Sequence, residues 1–130
     1  MKTGTEIQSW EDICEALNID PVTSIAWVQN LPEADQAPML GVFRCMKLNE
    51  ALNQGKDPYA SRSADKTFPV FNMYDGNDPS GFGFSYVVLD WPRSRSYVGS
   101  RLSNNDAKLS RHAANTFAPW YRDWMTIPKK

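Results

Sequence analysis

The chain has no run of 18 apolar residues, so no membrane span is expected. Its opening, MKTGTEIQSW, lacks the apolar core of a signal peptide, and a cytosolic, reduced setting follows as the expectation. There is one histidine, His112, and there are two cysteines, Cys14 and Cys45, none in CxxC or HxxxH spacing. Neither a zinc site nor any other metal or cofactor is therefore expected. No nucleophile elbow, HExxH motif or phosphate-cradling glycine loop occurs. Asp75, Asn77 and Asp78 resemble the start of a calcium loop, but the glutamate that closes an EF-hand is missing. His112 stands on the flank of an apolar helical stripe, where a structural or exposed role is expected. These absences weigh against catalysis, and the chain is expected not to be an enzyme.

What is present is a length and an apolar content fit for one folded unit. With 130 residues, 42% of them hydrophobic, the chain is expected to form a single domain over 1–130 with its own core. Five tryptophans, Trp10, Trp27, Trp91, Trp120 and Trp124, are expected mainly as core anchors. Cys14 and Cys45 fall on the apolar faces of separate predicted helices and read as buried small hydrophobes. Charge is divided unevenly. Residues 1–79 hold 6 Lys/Arg against 12 Asp/Glu, and residues 80–130 hold 8 against 3, within a net charge of −1. Such asymmetry suits a polar partner for one face, or neutralisation of one half by the other inside the molecule.

Local patterns predict the order of elements. Ser9 can cap a short helix and Asp12 can return the bond, with Trp10, Ile13, Cys14 and Leu17 on one stripe. Asn18 and Asp20-Pro21 end it. Val22–Leu31 is ambiguous. A long helix is expected from Glu33 or Ala37 to Gln54, with Pro38 in its first turn or kinking it and Gly55 in the left-handed position beyond. Thr67–Tyr74 reads as an edge or broken strand because Pro69 cannot donate to a ladder. Gly81–Trp91 alternates, with Phe82, Phe84, Tyr86 and Val88 on one face, and reads as a central strand. Tyr97–Leu102 reads as a third. A last helix is expected to start near Ser103 to Asn105, carrying Leu109, Ala113, Phe117, Trp120 and Trp124, and should bend or break near its middle at Pro119. The predicted fold is α+β: N-terminal helices, a three-stranded antiparallel meander, and a C-terminal helix packed on the sheet.

Gly81-Phe82-Gly83-Phe84 is similar to the core of the RNA-reading strand called RNP1, whose aromatics stack on bases. Ser80, Ser85 and Val87 depart from that pattern, and the order of elements does not suit it, so Phe82 and Phe84 are expected in the core. The stronger binding candidates are Arg93 and Arg95 in the turn PRSRS, Arg101 on the third strand with Tyr97 and Gly99, and Lys108 and Arg111 on the last helix. Arginine offers a planar fork of donors to phosphate or carboxylate. Trp91, if exposed beside that turn, would suit a dimer.

Ser80–Ser85, Tyr97–Leu102 and the helix with Phe117 and Tyr121-Arg122-Asp123 resemble a family of small uncharacterised proteins from Bacteroidetes, their prophages and gut phages. Leu17–Pro21 and Ala51–Gly55 carry the same likeness. The chain departs from that pattern at Ser103-Asn104-Asn105 and Pro119. The resemblance implies a phage or mobile-element origin. The expected function is a non-enzymatic phage or prophage accessory protein that binds a protein partner through a basic C-terminal face. The alternative is nucleic-acid binding by the same arginines. The expected setting is the bacterial host cytoplasm or the virion.

Overall fold

Ser9 nucleates the first helix as its sequence suggests: its Oγ accepts from the Asp12 amide at 3.1 Å. The returning bond lands one residue early, since Asp12 Oδ2 accepts from the Gln8 amide at 2.9 Å. Helix α1 (Trp10–Leu17) buries Trp10, Ile13 and Cys14. It ends on Asn18 in the left-handed region at φ 55, a conformation asparagine tolerates better than most residues. The computed structural model describes residues 1–58, 66–73, 82–89 and 98–127. Within it the ambiguous segment after α1 is a 3-10 helix over Thr23–Asn30, opened by Asp20, whose Oδ1 takes the amides of Val22 and Thr23.

Helix α2 (Glu33–Leu52) is the spine. Pro38 sits in its second turn, and the missing N–H deprives the Ala34 carbonyl of its helical donor. Gln54 and Gly55 leave the helix in left-handed conformation, and the Gly55 amide closes it on the Glu50 carbonyl at 2.9 Å. Gly41 lets α2 meet a later helix, because a Cβ there would lie 2.6 Å from the Trp120 carbonyl oxygen.

The sheet corrects the sequence reading. It has two strands, β1 (Thr67–Asn72) and β2 (Gly83–Leu89), paired antiparallel, and not a three-stranded meander. Of the stretch expected as a third strand, Ser100–Leu102 is a 3-10 turn, and just beyond it Asn104 makes an isolated bridge with Thr67. Pro69 supplies the reason. Thr67 exchanges amide and carbonyl bonds with Asn104 at 2.6 and 2.8 Å, so alternate residues of β1 point their backbone groups to that side. The next to do so is Pro69, which has no N–H to give. Gly99, at φ 75, then turns the chain away, and Ser103 Oγ secures the bend on the Gly99 carbonyl. β2 is accordingly not a central strand among the described residues, and Arg101 does not stand on a strand face.

A second correction lies inside β2. Val70 faces Tyr86 while Phe71 faces Phe84, so Ser85 is the extra residue of a bulge. The bulge breaks the expected common face: Phe84 packs on Phe71, whereas Tyr86 is 56% exposed. Phe82 stacks on Phe71 at 5.0 Å between ring centroids, so both phenylalanines join the core as expected.

The last helix is divided. Helix α3 (Ala107–Thr116), capped by Asp106, stops at Phe117, and α4 (Ala118–Met125) starts with Pro119 in its first turn. α3 lies against both strands and α4 lies along α2. One core joins them, built on Ile7, Ile13, Leu48, Leu52, Phe71 and Phe117 with the two thiols. No described helix is long and apolar enough to cross a membrane.

Candidate functional site

The basic residues of the C-terminal part are placed by a buried polar seam. Asn49 of α2 accepts from Asn104 Nδ2 at 2.7 Å and donates to the Cys45 carbonyl at 2.8 Å. Asn104 Nδ2 also reaches Ser110 Oγ of α3, and Ser110 shares a 2.7 Å bond with Thr67 Oγ1 of β1. One turn further along α2, Asn53 donates to the Ser103 carbonyl and accepts from the Asn105 amide. Four side chains from three elements thus hold residues 103–105 against the end of α2. Such a network rigidifies because breaking any of its bonds leaves a buried group without a partner, as Asn104 Oδ1 already is.

That anchoring sets the approach of Arg101. The 3-10 turn bearing it rests on α2, and Arg101 lines a cleft of about 270 Å³ with Ser100, Asn53, Lys56 and the two acids Glu50 and Asp57. Glu50 is engaged by Lys47 at 3.1 Å. Lys108 and Arg111 stand one turn apart on the outer side of α3, opposite the buried Ser110, Ala113 and Ala114. Arg101, Lys108 and Arg111 are all exposed. Trp91, Arg93 and Arg95 lie outside the described residues.

The two ion pairs among the described residues, Lys2 with Asp12 and Lys47 with Glu50, both lie within the acidic N-terminal part. None joins an acid of that part to Arg101, Lys108 or Arg111. Neutralisation of one half by the other through ion pairs is therefore not seen among the described residues.

Lys56 was not legible as a neighbour of Arg101. The only local signal is its place just after the helix-ending Gly55, and the long-range bond from Asn53 to Ser103 is what brings the two segments together. His112 takes the structural one of its two expected roles: Nε2 donates to the Ile7 carbonyl at 2.6 Å, and Nδ1 lies 3.3 Å from Thr116 Oγ1. Cys14 and Cys45 are buried free thiols. Burial pushes both up, Cys45 to about 12, which removes thiolate at neutral pH. Among the described residues no three His, Cys, Asp or Glu side chains are grouped to hold a metal ion.

Set against protein-family models, curated proteins and solved structures, the chain finds no match in any of the three.

Proposed function

We propose that the chain is a non-enzymatic accessory protein, of the phage or prophage kind its sequence resembles, that acts by binding an acidic protein partner. It would work in the host cytoplasm or on the virion. The observation that carries this reading is the exposure of Arg101, Lys108 and Arg111 without ion-pair partners among the described residues, on elements fixed by the buried seam. Charges presented on a rigid frame steer a partner and fix its register. The partly buried Phe82 and Phe84 favour a protein over nucleic acid, because both rings are spent on Phe71 and offer no stacking platform for bases.

Two experiments separate the readings. Affinity capture from host or virion lysate is expected to recover a protein that the variant Arg101→Glu, Lys108→Glu, Arg111→Glu no longer retains. A gel-shift series at low salt is expected to show no shift. A shift that weakens steeply with added salt and is lost in that variant would replace the protein reading with nucleic-acid binding.

A further inference from the structure

The cleft between the end of α2 and the Ser100–Leu102 turn carries both signs of charge. Lys56 and Arg101 line it, and so do Glu50 and Asp57, all four exposed, around a space of about 270 Å³. Neither Lys56 nor Arg101 is in an ion pair among the described residues. Glu50 takes Lys47 Nζ on one oxygen, Oε2, at 3.1 Å. A carboxylate has room for several donors, and an exposed pair three residues apart on a helix is weak, so Glu50 can accept a second ammonium. Asp57 has a partner of its own within the chain and adds negative charge to the cleft. Met46 and Pro58 give the lining an apolar part.

The two walls are fixed relative to each other. Asn53 donates to the Ser103 carbonyl at 2.8 Å and accepts from the Asn105 amide at 3.3 Å, which ties the end of α2 to the segment after the turn. Ser103 Oγ donates to the Gly99 carbonyl at 2.7 Å and holds the turn from its other side. Gly55, which also lines the cleft, has no atom within 4 Å of the place a Cβ would take, so that edge is open. A cleft whose walls are ordered beforehand loses little entropy on receiving a ligand. Charge balance then selects the ligand. A plain anion would match Lys56 and Arg101 and face two carboxylates, and a plain cation would meet the reverse. A zwitterion answers both signs. Sites for drug-sized molecules start at about 300 Å³, so this smaller space suits a body the size of an amino acid or dipeptide.

We propose that this cleft binds a small zwitterion, an unblocked amino acid or dipeptide. Arg101 and Lys56 take its carboxylate, the guanidinium by its planar fork and the lysine as a point charge. Glu50 takes its ammonium, and Met46 and Pro58 take an aliphatic side chain. The site shares Arg101 with the basic face, but Lys56 and Glu50 are no part of the protein-binding reading, so the two fail separately.

The test titrates the full chain with L-leucine, L-alanyl-L-leucine, N-acetylleucine and leucinamide, followed by NMR at the backbone amides of Gly55, Lys56 and Arg101. Leucine or the dipeptide is expected to saturate below ~10 mM, with the two blocked compounds at least about tenfold weaker. Glu50→Gln, which keeps the shape and loses the charge, and Lys56→Gln are each expected to weaken the zwitterion by roughly tenfold. Both side chains are exposed, and an unchanged dispersion of amide resonances checks that the variants fold. If they do not fold, the ratio of free to blocked compounds in the unaltered chain decides. A blocked compound binding as tightly as the free one, unchanged binding in the folded variants, or no saturation by either leucine or the dipeptide would overturn the proposal.

Discussion

Asn104 carries more of the molecule than its type suggests. Its side chain serves Asn49 and Ser110, and its backbone serves Thr67, so one residue ties α2, α3 and β1. Asn104→Ala strips donors from two buried acceptors and is expected to destabilise by about 2–4 kcal/mol in urea titration. A loss below about 0.5 kcal/mol would show that the seam is not stabilising. Tyr121, like Asn104 at its Oδ1, keeps a buried polar atom without a hydrogen-bond partner, its hydroxyl, and burial pushes the phenol up. Tyr121→Phe removes that unmet group and is expected to leave stability unchanged or raise it by about 1 kcal/mol. The thiols supply a chemical check. Neither Cys14 nor Cys45 is expected to react with a disulfide reagent at pH 8 until denaturant is added, and prompt native reaction would contradict their burial. At this scale His112 and the two cysteines were legible, because a lone titratable residue on or beside an apolar stripe has few roles open. The pairing of Asn104 with Asn49 was not, since the two lie 55 residues apart.

At the scale of elements, α1, α2 and the divided last helix were legible from stripes, caps and prolines, which act within a turn or two. The third strand was not. Tyr97–Leu102 has strand composition, but whether it pairs depends on what β1 offers, and Pro69 withdraws the donor it would need. The bulge at Ser85 was hidden for a similar reason, since register belongs to two strands at once. The α2–α4 contact yields a direct prediction. Gly41→Ala would gain roughly 1 kcal/mol of helix propensity. It would also put a methyl 2.6 Å from a carbonyl oxygen that cannot rotate aside. Overpacking should win, with a net loss of about 1–3 kcal/mol in thermal or urea unfolding. A gain in stability would mean that the two helices are not in close contact. Acid should loosen the other end of the molecule. Hydrogen bonds from backbone amides, of Gln8 to Asp12 and of Thr23 and Val22 to Asp20, hold both carboxyls below their ordinary range. Their contribution is present above about pH 4 and is lost as pH falls through the lowered values. The double variant Asp12→Asn, Asp20→Asn is expected to show a flatter Tm-versus-pH curve between about pH 5 and pH 2. A curve as steep as that of the unaltered chain would contradict this.

For the whole molecule, the uneven charge was the one functional signal legible in the sequence, because net charge needs only counting. Its consequence needed the fold. Residues 1–58 hold 4 Lys/Arg against 9 Asp/Glu, and the described ion pairs stay within that part. Arg101, Lys108 and Arg111 are left exposed on elements that the Asn49–Asn104–Ser110–Thr67 seam fixes in place. The loss of partner binding on reversing these charges is the central claim, and titration calorimetry of the captured partner measures it most directly. The unaltered chain is expected to bind at least about tenfold more tightly than the Arg101→Glu, Lys108→Glu, Arg111→Glu variant, with both weakening differently in salt. Equal affinity in the two chains would contradict the assignment of binding to this face.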